Sequence, residues 1–532
     1  MSARCAALAV LVSIASLARV AEADFVQLVT FGGELSDPTT PTYYEDVTKL
    51  VATDGAFAML TDAGAVTARG DSDAGGSVSS VRSQITSGVT DLVGNRMAFC
   101  AIKDDGSVVT WPSTYSWSGG DSSAVADDLV DVEAVYNNDW VFVAVKSGGG
   151  LVAWGDDYFG ASIPDDLDMS QEVTDVVSTR RAFAVLRADG SVVTWGHEDW
   201  GGDSSNVASD LTSGVTSIVA AEGGAFAAIK DDGSVVTWGN SARGGDSSGV
   251  QSELVDVVSI SSTFDAFAAI TDSGTAVAWG DSVSGGNLRS VADVVRAGVT
   301  SITSNRFAFA ALKADGSIKT WGDPLYGGDS YLKGVDTGVE AIYSTAFAFA
   351  ALKSDGAVLT WGNEQYGGSI ESVEGTFLQY FNEESNSRCK NNIGQTADNT
   401  LQTCARRCAR GYNCRYFSFN WDTNDVTQRC TLYRKTNCDG ENEVIAATSQ
   451  TLYQRNTTVT VAELRELSEQ ALLYRNVQEI YSNDWSFLAV LKSGIAQWGA
   501  EAYGGAYDGT YPSGSVEMVV PNRVGYGILF ST

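Results

Sequence analysis

One phrase returns through the chain with small changes. It reads AFAVLRADGSVVTWG at Ala182–Gly196, AFAAIKDDGSVVTWG at Ala225–Gly239 and AFAALKADGSIKTWG at Ala308–Gly322. The tryptophan near its end falls at Trp111, Trp154, Trp195, Trp238, Trp279, Trp321 and Trp361, at intervals of 40 to 43 residues. Arg69 holds the same place in a degenerate copy. A late copy ends at Trp498, with about 95 residues more than one period separating it from Trp361. Repetition at such a period marks an architecture in which each unit buries its apolar surface against the next.

Each unit reads as β-strands. A β-branched segment such as 215–219 comes first, then an Ala-rich alternating stretch such as 226–230, then Val-Val-Thr-Trp. A turn glycine stands five residues before the Trp position at Gly64, Gly106, Gly149, Gly190, Gly233, Gly274, Gly316 and Gly356. Asp often precedes it. Asp-Gly between alternating segments predicts a two-residue hairpin with both turn residues at positive φ. Gly494 is only four before Trp498, so the last hairpin is expected to be distorted. Alanine suits the place where facing sheets are closest, and Trp the place where they diverge.

The two ends complement each other. Residues 26–33 read as the second half of a unit, with Phe31 in the Trp place, and 515–529 as the first half. Pairing them completes a unit and removes exposed sheet edges. The expected fold is all-β: a β-propeller of about ten 42-residue repeats, plus a small disulfide-rich α+β insertion. Ten units exceed the usual four to eight blades. One large ring, two smaller rings and an open solenoid all accommodate them, and the complementary ends favour the single ring.

The run ALKADGSIKTWGDPLYGG at Ala311–Gly328 resembles the regulator-of-chromosome-condensation repeat and its relative β-lactamase inhibitor protein II. The resemblance implies a β-propeller and transmits no function. The later aromatic of that motif matches Phe159, Trp200, Tyr326, Tyr366 and Tyr503, whereas the family's Gln-Leu-Gly is replaced by Gly-Gly-Asp-Ser at 201–204 and 244–247.

Six cysteines cluster at Cys389, Cys404, Cys408, Cys414, Cys430 and Cys438. An even set in so short a stretch of a secreted chain reads as a disulfide framework, with zinc as the rival reading. The segment from Thr403 to Cys438 resembles a PAN/apple module, through Cys404-x3-Cys408, Cys414 before Phe417-Ser418-Phe419, and Cys430-Thr-Leu-Tyr433. That resemblance implies the pairs Cys404–Cys430, Cys408–Cys414 and Cys389–Cys438, and binding of protein or carbohydrate without catalysis. After it come a glycosylation sequon at Asn456 and a helix opened by the capping box Thr460 to Glu463. The expected organisation is a signal peptide at 1–23, propeller repeats at 24–376, the apple-like module at 377–455, and a connecting helix with the final repeat and closure at 456–532.

Arg4, an apolar run from Cys5 to Leu17 and the small-x-small pattern Ala21-Glu22-Ala23 read as a secretory signal, so a secreted protein is expected. No stretch reaches the roughly 20 apolar residues of a membrane span. A net charge of −32 argues against nucleic acid as a partner. His197 is the only histidine, nothing near it resembles a nucleophile elbow, and it reads as an exposed loop residue. No catalytic site and no cofactor are expected. The Gly-Gly-Asp-Ser loops at Asp121, Asp203 and Asp246 read as turns, with calcium binding as the alternative. Cys100 stands alone in a strand and reads as a buried thiol.

Variation against the repeat is the remaining signal. Two residues before the repeated Phe, the units carry Met97, Trp140, Arg181, Gly224, Asp265, Phe307, Phe347 and Trp485. Equivalent turns of a ring gather on one face, so Trp140, Phe307, Phe347 and Trp485 are the candidate ligand-binding residues, with inter-blade packing as the competing role. The neighbouring Arg96, Arg180 and Arg306 read as solvated charges. The expected function is recognition of an extracellular protein or glycan, or alternatively inhibition of a secreted enzyme.

Overall fold

The computed structural model describes residues 25–31, 42–165, 167, 171–288, 291–328, 337–368, 381–389, 392–397, 414–420, 429–434, 444–455, 477–491, 494–500, 516–523 and 525–531. Among them the chain is all-β. Nine sheets have three antiparallel strands each, one has four and one has five. The three-stranded sheets follow the sequence repeat one for one. Blades 1 to 9 occupy 47–70, 89–111, 132–155, 173–196, 215–239, 257–280, 299–322, 339–362 and 477–499.

Blade 5 shows the pattern. Strand Val215–Ala221 pairs with Ala225–Lys230, which pairs with Val235–Gly239. The Ala-rich strand is the middle one and is covered on both faces: Ala225, Phe226, Ala227 and Ala228 are all fully buried. Small residues let neighbouring sheets approach there. The first strands of most adjacent blades lie beside one another. Phe226 stacks on Trp238 of its own blade at 5.1 Å, and the Trp238 indole donates to the Gly201 carbonyl at 3.1 Å. Trp111, Trp154, Trp195, Trp279 and Trp321 make the same bond to Gly75, Gly119, Gly160, Gly244 and Gly285. Each of these six Trp thus fastens its blade to the loop leaving the previous one, whereas the Trp361 and Trp498 indole nitrogens are buried with no hydrogen-bond partner among the described residues. In the degenerate copy Arg69 faces Phe57 in the ladder position of Trp.

The turns differ from the sequence expectation. Only the glycine takes positive φ, as at Gly106 and Gly233, both +75°, whereas the preceding Asp does not. Gly233 N donates to Lys230 O and Lys230 N to Ser234 O, both at 2.9 Å, so the loop is a type I turn closed by a left-handed glycine. Where Asp precedes the glycine its side chain adds to the turn: Asp232 Oδ1 accepts from Ser234 N at 2.9 Å and from Ser234 Oγ at 2.6 Å. The same backbone bonds close the turns at Gly64, Gly149 and Gly274, where no Asp precedes. The glycine carbonyl then accepts from the first strand of the next blade, Val257 N to Gly233 O at 2.9 Å. A Cβ at Gly233 would stand 2.7 Å from the Asp256 Cα. In blade 9 the expected distortion is a shortening: Leu491 pairs directly with Gly494 and the ladder stays continuous to Ser486 and Gly499.

The two chain ends share a sheet. Strand Phe25–Phe31 pairs antiparallel with Gly525–Ser531, which pairs with Val516–Asn522, and Thr42–Glu45 adds a fourth strand. Phe31 lies opposite Tyr526 just as Trp111 lies opposite Phe99. This is blade 10, and its strand 516–522 lies beside the first strands of blades 1 and 9. The extra residues between blades 8 and 9 hold a five-stranded antiparallel sheet, from Phe381–Cys389, Asn392–Ala397, Cys414–Asn420, Arg429–Arg434 and Val444–Arg455. Cys389, Cys414 and Cys430 sit on its strands, where only the backbone is described. Residues 1–23, Cys404, Cys408, Cys438, Asn456 and the 460–472 helix lie outside the described residues. Among the described residues no helix is long and apolar enough to cross a membrane.

Candidate functional site

The chain turns from first to middle strand at the end of each blade opposite the Asp-Gly turns. Asn or Thr opens most of these turns and is buried. Asn95 Oδ1 accepts from Met97 N and Ala98 N at 2.9 and 2.8 Å, while its Nδ2 donates to Ser118 O at 2.7 Å. Asn138, Thr179, Asn305 and Thr345 reach in the same way to Phe159, Trp200, Tyr326 and Tyr366. One buried polar residue therefore sets two things at once: the turn, and the loop aromatic that follows the repeated Trp.

The next turn position carries charge. Arg96 meets Asp54 at 2.8 Å and Asp139 at 3.8 Å. Arg180 bridges Asp139 and Glu222 at 3.9 and 3.7 Å, and Arg306 bridges Glu222 and Asp484 at 3.9 and 3.5 Å. Arg523 joins Asp484 at 3.0 Å and Asp54 at 3.7 Å. The pairs begin and end on Asp54. Blades 6 and 8 place Phe264 and Ala346 in this column, and there backbone bonds link the turns: Phe264 N to Arg306 O, Arg306 N to Ala346 O, and Ala346 N to Asp484 O. Arg96, Arg180 and Arg306 are thus partnered across blades, not simply solvated. Burial raises the Asp54 carboxyl above the usual range against the opposing pull of Arg96 and Arg523. A pocket of 160 Å³ lies among Asp54, Arg96, Asp139 and Arg523.

The third turn position carries the expected binding residues. Trp140, Phe307, Phe347 and Trp485 are all half-buried, and the structure divides them into two groups. Phe307 packs on Tyr326 at 4.7 Å and on Phe347 at 6.1 Å; Phe347 packs on Trp485 at 5.1 Å, and Trp485 on Tyr366 at 5.0 Å. This arc crosses blades 7, 8 and 9. Trp140 belongs to a second arc with Trp117 at 5.0 Å and Phe159 at 6.1 Å. Inter-blade packing is therefore present, and each of the four keeps part of its surface exposed. Sequence reasoning missed Tyr115, Trp117 and Tyr158, which are exposed and lie in loops outside the repeated phrase.

Beyond the second arc, the Arg181 guanidinium lies 4.2 Å from the Tyr158 ring centre and 4.5 Å from that of Trp200. His197 is half-buried, not fully exposed, with its ring 5.8 Å from Tyr158. Asp121, Asp203 and Asp246 each accept from a backbone amide two residues on, at 2.8 to 3.0 Å, which is turn chemistry. Among the described residues no three His, Cys, Asp or Glu side chains converge as a metal site. Cys100 is fully buried, and burial pushes its thiol well above the ordinary range.

No family model and no curated protein matches the chain. Among solved structures it is similar to the ectodomain of the receptor kinase CR4 from Physcomitrella patens, at 16% identity over 60% of this chain and 73% of that one, TM-score 0.30. It is also similar to Prp20p from Saccharomyces cerevisiae, at 14% identity over 65% and 82%, TM-score 0.30. The computationally designed Ika8 protein aligns at 16% identity over 63% and 99%, TM-score 0.28.

Proposed function

We propose that this chain is a secreted or cell-surface recognition protein that binds glycan or protein ligands on the aromatic face of its blades. In this reading blades 1 to 10 form one closed ring, and a PAN/apple-like disulfide module is inserted between blades 8 and 9. Closure is supported by the pairing of 25–31 with 525–531 and by the ion pairs that return to Asp54. The module is supported by its five antiparallel strands and by three of its six cysteines standing on them.

The observation that carries the functional reading is the pair of partly exposed aromatic arcs at a turn position the repeat leaves free. Aromatic rings already held by neighbours lose little freedom on binding, and a buried anchor contributes about 2 kcal/mol or more at an interface. The test is a glycan array probed with the mature chain and with Trp140→Ala/Trp485→Ala. Binding that falls by about 30-fold in a variant with an unchanged melting temperature supports the reading. An unfolded double variant makes these residues packing alone. A folded variant with full binding moves the ligand away from these four residues, to the inserted module or another surface of the blades.

A further inference from the structure

We propose that Arg181 is the anion-reading residue of a subsite for a carbohydrate bearing an isolated carboxylate. The proposal rests on the recognition reading above and names its ligand chemistry.

The guanidinium is built into a cage. Its Cζ lies 4.2 Å from the Tyr158 ring centre, 4.5 Å from that of Trp200 and 5.6 Å from that of Phe159. Its Nη1 donates to the Tyr158 hydroxyl at 2.6 Å. Aromatic faces hold a guanidinium in place without neutralising it, and apart from the Nη1 bond to Tyr158 its donors are unused among the described residues. The other arginines of this face are neutralised: Arg96, Arg180, Arg306 and Arg523 by the ion-pair cycle, and Arg243 by Asp265 at 3.3 Å. Among the described residues Arg181 has no carboxylate within ion-pairing distance, and its Nε is buried with no hydrogen-bond partner. An immobilised and uncompensated cation on a chain of net charge −32 is a counter-charge waiting for a ligand.

The surroundings select the ligand class. Tyr158 is 53% exposed and presents a ring surface beside the guanidinium, which suits the C–H face of a sugar. A guanidinium edge matches a carboxylate with two parallel hydrogen bonds. Exposed Glu198 and Asp199 precede Trp200. They and the acidic surface repel a polyanion or an acidic peptide, whereas a glycan with one carboxylate on an otherwise neutral chain brings a single charge to a single cation.

The experiment is an array of uronic- and sialic-acid glycans, each beside its own methyl ester, probed with the wild-type chain, Arg181→Gln and Arg181→Lys. Wild type should bind the free acids, and esterification should weaken binding at least about tenfold. Arg181→Gln should bind acid and ester alike. Arg181→Lys keeps the charge, loses the planar fork and should fall between them, which preserves the test where Gln disturbs the cage. Wild-type binding indifferent to esterification and to Arg181, but lost in Trp140→Ala/Trp485→Ala, overturns this proposal and leaves the recognition reading standing. An array with no bound glycan, together with binding of a synthetic acidic peptide through Arg181, overturns the carbohydrate assignment in favour of a peptide ligand.

Discussion

The two ends of the blades are built from the same repeat and behave as opposites. At the glycine-turn end the turns of blades 1 to 8 close on the same backbone bonds, that of blade 9 is shorter, and the link to the next blade is a backbone bond such as Val257 N to Gly233 O. At the other end the turn is fixed by a buried Asn or Thr, and the two residues after it are free to differ. One of those positions became a cycle of alternating charge, the other two aromatic arcs. A join made by the backbone constrains sequence through glycine. A join made by side chains constrains it only through complementarity, and complementarity leaves room for function.

The sharpest way to break this contrast is to place a methyl group in the backbone join. Gly233→Ala must hold alanine at φ +75°, with its Cβ against the Asp256 backbone. A left-handed residue with a Cβ costs about 1–2 kcal/mol, and the contact adds to it. The expected loss is about 2–4 kcal/mol by chemical denaturation. An unchanged midpoint would mean that the glycine end is not the rigid one.

A smaller effect is expected from the side-chain join. Arg523→Gln removes the cation that spans Asp484 and Asp54, a side-chain contact from blade 10 to both neighbours. Its side chain is 24% exposed, so the pairs are only partly screened. The expected loss is about 1–3 kcal/mol, most of it the cost of carboxylates left short of a partner. Added salt should narrow the gap between wild type and variant. A variant as stable as wild type at low salt would detach blade 10 from the charge cycle and weaken the closed-ring reading.

How much of this was legible follows from where the information sits. Blades could be read because Phe, Ala, Asp-Gly and Trp recur at fixed spacing, and even the half-units at 26–33 and 515–529 declared their partner. The turn type differs because Asp-Gly favours a two-residue hairpin in general, whereas the copies with and without Asp alike close a loop one residue longer through backbone bonds such as Lys230 N to Ser234 O and Lys146 N to Gly150 O. The charge cycle went unseen because its members lie about 40 residues apart and were read as three separate arginines. Aligning that single column (Asp54, Arg96, Asp139, Arg180, Glu222, Arg306, Asp484, Arg523) shows the alternation at once. Arg523 was hardest, since it lies in a half-unit without the repeated phrase.

The smallest expected effect is also the one that separates the two ends by sign. At the glycine end the serine hydroxyls and amides hold Asp105, Asp189, Asp232 and Asp315 below the ordinary carboxylate range. Such a group favours the fold when ionised, so its contribution is present above the ordinary value and is lost as pH falls through its lowered one. At the other end burial raises Asp54, and its contribution runs the other way: fully present below the ordinary value, and lost as pH rises through the raised one. Melting temperatures of wild type, Asp232→Asn and Asp54→Asn between about pH 3 and pH 7 read both. The wild-type advantage over Asp232→Asn should grow as pH rises across the acid range. The wild-type advantage over Asp54→Asn should shrink as pH rises from about 4 toward neutrality. Two differences of the same sign would show that the Arg96 and Arg523 guanidiniums outweigh burial at Asp54, and that the charge cycle strengthens, not weakens, as its carboxylates ionise.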